Sequence, residues 1–289
     1  MATQCHVALK SGQHKGIHMS LISSISPSQI QNLTTTQIRD LSTADVRLLS
    51  SLQIAEFSSA QIAAIETRDL LVLTSGQISA FDSSQFSDGL MVYGNKSSLL
   101  TATQVKGLTT AQLSTFTTDH LAFFDTKDIA SLNTEQLNSL KTEFIAGLSS
   151  AQVRALTTSQ LLGMNTEQFS SLTTDNLKAL TTLQIRVLTS EQLNSLSTDQ
   201  FSILETSDIA ALTTSQVSNL TNDTVKALTT AQAQALSTAA LNALTSDQLA
   251  VFETEDLAAL TTRQVIGISG QQLAKLDSNQ LVALGTAQY

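Results

Sequence analysis

Three of the four histidines and the single cysteine lie close together at the start of the chain, as Cys5, His6, His14 and His18. These are ligand types for a transition metal, but their spacing matches no zinc pattern, so neither a metal nor another cofactor is expected. A lone cysteine cannot form an internal disulfide, and Cys5 reads as a plain thiol or an intermolecular link. Carboxylates recur in pairs three residues apart: Glu66 with Asp69, Asp125 with Asp128, Glu205 with Asp208, and Glu253 with Asp256. Two such groups near one helix start could meet a cation. The simpler reading is that acids at helix N-termini complement the macrodipole. The fourth histidine, His120, stands alone and reads as a structural variant rather than a catalytic group. There is no glycine-rich phosphate loop, no His-Glu-x-x-His and no nucleophile elbow. Serine and threonine are abundant, but each has a structural task, and no enzyme is expected.

That task appears in the element that repeats. Thr34-Thr35-Thr36-Gln37-Ile38-Arg39-Asp40-Leu41 is followed by near copies of itself, with a unit close to Thr-Thr-x-Gln-Leu-x-Ala-Leu. One apolar position reads Ile25, Leu33, Leu41, Leu49, Phe57, Ile65, Leu73 and Phe81, then resumes at Leu100 and continues every eight residues to Leu284. The residue after it is mostly Ser, Thr, Asn or Asp, and Gln stands three residues further on in twenty-two of thirty-two units. This spacing is a capping box. The hydroxyl accepts from the backbone N–H three residues on, and the Gln side chain reaches back to the cap N–H. Leu33 before the cap and Ile38 after it add the hydrophobic staple.

One continuous helix cannot use this pattern. Eight residues turn about 800°, so the apolar stripe would drift by about 80° per repeat. A strand cannot use it either, because apolar spacings of five and three send neighbours to opposite faces. The remaining solution is one very short capped helix per unit. Such helices are unstable alone, so neighbouring units must share a core. The expected fold is all-α, a solenoid or superhelix of very short capped helices, one per eight-residue repeat.

Residues 1–24 form a non-repeat N-terminal arm, 25–86 a first solenoid block, 87–99 an irregular loop insertion, and 100–289 a second block. From Phe81 to Leu100 is nineteen residues, two units plus three, and Gly89, Gly94 and Asn95 supply turn chemistry there. The final unit stops at Tyr289, its staple position. Either the chain is part of a longer array, or open ends meet head to tail and give a filament. Cys5, His6, Tyr93, Gln288 and Tyr289 are therefore the candidate subunit-joint or partner contacts.

A net charge of −9 leaves no basic stripe for nucleic acid or anionic lipid. No apolar run is long enough to span a bilayer, and no cleavable N-terminal signal is visible. The unit resembles the Ala-Leu-Thr-Thr-x-Gln octapeptide arrays of long bacterial surface and adhesin-like proteins, as in Ala179-Leu180-Thr181-Thr182-Leu183-Gln184 and Ala227-Leu228-Thr229-Thr230-Ala231-Gln232. That resemblance implies a secreted or surface role. Leu156-Thr157-Thr158-Ser159-Gln160 is also similar to the first helix of TAL-type repeats. Their longer period and second helix are missing, so DNA binding is not expected. The leading expectation is a structural subunit that stacks head to tail into an extracellular bacterial filament, its partner being itself. The alternative is a monomeric adhesin stalk or binding module presenting its surface to another protein or a glycan. Ice or mineral binding by a threonine ladder is a third reading, opposed by the caps that engage half of those hydroxyls.

Overall fold

The computed structural model of the chain describes residues 22–91 and 100–286. Among them the secondary structure is entirely helical, without a strand. The chain divides into two compact units, Met1–Phe144 and Ile145–Tyr289, so the division does not fall at the irregular insertion.

From Ser26 to Asp277, a helix opens one residue after the cap in every repeat except that of Asp82. Most of these helices have four to six residues, as in Thr35–Arg39, Ser59–Ala64 and Thr182–Ile185. The caps explain both ends. Thr34 has extended backbone (φ −73°, ψ 157°), and its hydroxyl accepts from the Gln37 N–H. The Gln37 Oε1 accepts from the Thr34 N–H at 2.8 Å. Eight residues later Ser42 resumes extended backbone (φ −80°, ψ 156°) and begins again. Each cap contributes on the order of 1 kcal/mol.

In most repeats the two apolar residues are buried. Ile38 and Leu41 are each 1% exposed, and Leu257 and Leu260 are 0% and 2%. Burial of a Leu or Ile side chain stabilises by roughly 1.5–3 kcal/mol. Packing therefore outweighs the cap in holding each short helix.

Two regions depart from the pattern. After Asp82 the chain forms a π-helix, Gln85–Met91, which runs past residue 86 into the segment expected to be loop. Gly89 permits this. A Cβ there would lie 2.9 Å from the Ile62 Cβ, so only glycine fits against that helix. The second departure is the 3-10 helix Thr118–Phe123.

Candidate functional site

The most repeated chemical feature is the glutamine three residues after each cap. Its Oε1 closes the capping box, as expected. Its Nε2 does something else. In the first compact unit, Gln53 Nε2 donates to the Ile22 and Ile25 carbonyls at 2.9 and 2.8 Å. Gln61 Nε2 donates to Ile30 and Leu33, and Gln77 Nε2 to Val46 and Leu49. In the second unit, Gln192 bridges Leu161 and Met164, Gln216 bridges Ile185 and Leu188, and Gln272 bridges Leu241 and Leu244. The acceptors lie 31 and 28 residues earlier. They are carbonyls at the end of an earlier helix: the one 31 residues back also accepts a backbone N–H, as Ile185 does from Leu188, and the amide adds a second bond. Because 28 is three and a half repeats of eight, each helix start meets an earlier helix end.

The rung keeps its geometry across the insertion. Gln104 bonds Leu73 and Leu70, now 31 and 34 residues back, and Gln112 bonds Phe81 and Ile78 at the same separations. Both distances grow by three, the number of extra residues. Gly107 lets the chains approach there, since a Cβ would meet the Ser75 carbonyl oxygen at 2.6 Å.

The rung is altered where glutamine is replaced. Asp69 Oδ1 accepts from the Thr43 hydroxyl at 2.8 Å, and Asp256 Oδ1 accepts from the Thr230 hydroxyl at 2.9 Å. Each hydroxyl sits 26 residues earlier. At Asp128 the corresponding residue is Ala102. A cavity of about 260 Å³ lies there, lined among others by Leu100, Thr101, Ala102, Phe124, Asp125 and Asp128. Burial pushes the Asp128 carboxyl up to about 6, against the pull of the Asp125 backbone hydrogen bond. Burial and the Glu205 charge likewise raise Asp208 to about 6. Asp125, mostly exposed, is lowered instead, chiefly by the Asp128 backbone N–H.

Of the acidic caps paired with aspartate, Asp125 accepts from the Lys127 and Asp128 N–H groups, whereas Glu66 and Glu205 make no side-chain cap bond. His120 closes a capping box, its Nδ1 accepting from the Thr117 N–H at 2.8 Å, and stacks on Phe116 with centroids 5.3 Å apart. Burial lowers its pKa. At 144 a phenylalanine fills the glutamine position. It packs with Phe116, 28 residues earlier, at 6.3 Å and edge-on with Phe124 at 5.7 Å. Phe86 stacks on Phe116 at 5.8 Å. An aromatic column thus stands where a rung would be.

Among the described residues, no three His, Cys, Asp or Glu side chains gather as a metal site, and no helix is long and apolar enough to cross a membrane. Cys5, His6, Tyr93, Gln288 and Tyr289 lie outside the described residues, as do His14 and His18.

The cross-repeat amide was the functional group missing from the sequence reading. A signal for it exists: a capping box accepts Glu or Gln equally well, yet the position holds Gln twenty-two times and never Glu. Only the amide carries the donor that the carbonyls need.

The fold and its rungs define a class, an all-α protein of short capped octapeptide repeats joined through glutamine amides. The ALTTAQ repeat family matches residues 121–158, 145–182, 172–204, 202–238, 233–262 and 249–286. These matches cover more than half of the chain, which belongs to the ALTTAQ repeat family. Among curated proteins, none matches the chain.

Proposed function

We propose that the chain is a structural protein whose repeats wind into a solenoid of three and a half units per coil, and that copies stack head to tail into an extracellular bacterial filament. One observation carries this reading: the rung is directional, a helix-start amide reaching helix-end carbonyls 31 and 28 residues earlier, so one level accepts the next in a single sense. Toward the start, Gln29 is exposed. Toward the end, the staple residues open to solvent in order. Leu249 and Leu257 are fully buried, Val265 and Leu273 are half-buried, and Leu281 is 44% exposed. Gln280 still bridges Ala250 and Phe252. A coil from a second copy would cover the staples and complete the rungs with the geometry already used inside the chain. The association is heterologous and does not close on itself, which gives fibres rather than dimers. The surface location rests on the kinship with octapeptide arrays and on a composition with one cysteine, no tryptophan and few aromatics.

Negative-stain electron microscopy of the purified protein over a range of concentrations tests this. Long fibres of uniform width are expected, and they should disappear in a Leu273→Asp/Leu281→Asp variant whose helical circular dichroism is unchanged. Short single rods at every concentration would refute the filament and favour the monomeric stalk or binding module.

A further inference from the structure

Asn176 shows what a side chain one methylene shorter than glutamine does at the rung position. Its Oδ1 accepts from the Thr173 N–H at 3.3 Å, and its Nδ2 donates to the Leu148 carbonyl, 28 residues earlier, at 2.6 Å. Asparagine thus keeps the capping contact and one of the two cross-repeat bonds. Asp128 and Asp208 have the same shape at the same position, and they are only 7% and 2% exposed. The Asp128 Oδ2 accepts from the Asp125 N–H at 3.0 Å, as the amide oxygen of Asn176 does from Thr173. The carbonyls in register are Leu100 for Asp128 and Leu180 for Asp208. Unlike Asp69 and Asp256, neither aspartate takes a hydroxyl hydrogen bond from the residue 26 positions earlier: at 128 that residue is Ala102, and at 208 it is Thr182, whose hydroxyl is not bonded to it.

We propose that Asp128 and Asp208 are proton-operated rungs: in the neutral form each carboxyl O–H donates to the carbonyl 28 residues earlier, and loss of that proton to solvent breaks the rung. An ionised carboxylate has only acceptors, and so does the carbonyl it faces. Two acceptors buried together repel and leave the carboxylate short of a donor. The surrounding charges do not offset this. Around Asp128 they are Asp125 and Lys127 on its own repeat, with Lys106 ending the packed helix Ala102–Val105. Around Asp208 they are Glu205, with Arg186 ending the packed helix Thr182–Ile185, while the packed helix Thr230–Ala235 has no charged residue.

The sign follows from the direction of the shift. A carboxyl raised from 3.8 to about 6 on folding stabilises the fold fully below the unfolded value. That contribution is lost as pH rises through about 6. Moving from pH 7.5 to pH 5 should multiply the folding equilibrium by about tenfold per carboxyl.

The test combines carboxyl carbon-13 titration of the full chain with chemical denaturation at pH 7.5 and pH 5. Asp128 and Asp208 should titrate near 6. Wild type should gain stability at pH 5. The D128N/D208N variant should lose most of that gain and match, at pH 7.5, the stability of wild type at pH 5. An Asp175→Asn/Asp223→Asn control should keep the wild-type response. Titration of Asp128 and Asp208 near 4, or an unchanged pH response in D128N/D208N, would overturn the proposal. The titration decides the matter even if the double variant folds poorly.

Discussion

Residues 181–220 and residues 117–144 follow the same eight-residue grammar, but the first keeps four of its five glutamine rungs and the second only that of Gln136. Over 181–220, Gln184, Gln192, Gln200 and Gln216 each join a helix start to carbonyls 28 residues earlier, and Asp208 alone interrupts them. Over 117–144, the same position reads His120, Asp128, Gln136 and Phe144. One helix there is 3-10, a cavity opens beside Asp128, and aromatic rings fill the core. Caps and apolar spacing alone therefore suffice for a chain of short helices. The glutamine amide makes successive levels fit closely, and over 117–144, where it is lost at Asp128 and Phe144, empty space and aromatic bulk take its place.

The largest effect should come from breaking the phase. Deleting residues 173–180 removes one whole repeat and leaves every rung with an acceptor in register, so a folded, shorter protein is expected. Deleting 177–180 shifts caps against staples and should abolish cooperative melting in calorimetry. Comparable melts for the two deletions would contradict the capped-repeat account.

The next largest effect belongs to the irregular region. Phe144→Ala should cost about 3–5 kcal/mol in urea denaturation, because it empties the aromatic column. In the regular region, Gln216→Glu keeps the cap acceptor but replaces the donor with an acceptor facing two carbonyls. A loss of about 2–4 kcal/mol at neutral pH is expected, whereas His120→Glu, at a position with no glutamine rung, should cost clearly less. Thr213→Ala removes only a cap and should cost about 1 kcal/mol. If Gln216→Glu were as mild as Thr213→Ala, the rung would not be what separates the two regions.

Most of the local structure was legible because it is local. Leu33, Thr34, Gln37 and Ile38 state a helix start within six residues, and the recurrence of that start forbids a longer helix. The 28-residue step was not legible, since an eight-residue period says nothing about which repeats meet. The exclusion of Glu at the Gln position carried a trace of it. The π-helix Gln85–Met91 was hidden for another reason: Gly89 reads as turn chemistry, while its use is close contact with Ile62. The aromatic column was equally hidden. Phe116, Phe124 and Phe144 look like scattered variants until the 28-residue step sets Phe144 over Phe116.

The central claim is that buried glutamine amides hold successive levels together. Hydrogen exchange of the side-chain NH₂ groups, followed by nitrogen-15 NMR on the full chain, tests it most directly. Gln192, Gln216 and Gln248, each bridging buried carbonyls, should exchange orders of magnitude more slowly than the exposed Gln29. Exchange of all four at the same fast rate would mean that the amides face water, and would contradict the account.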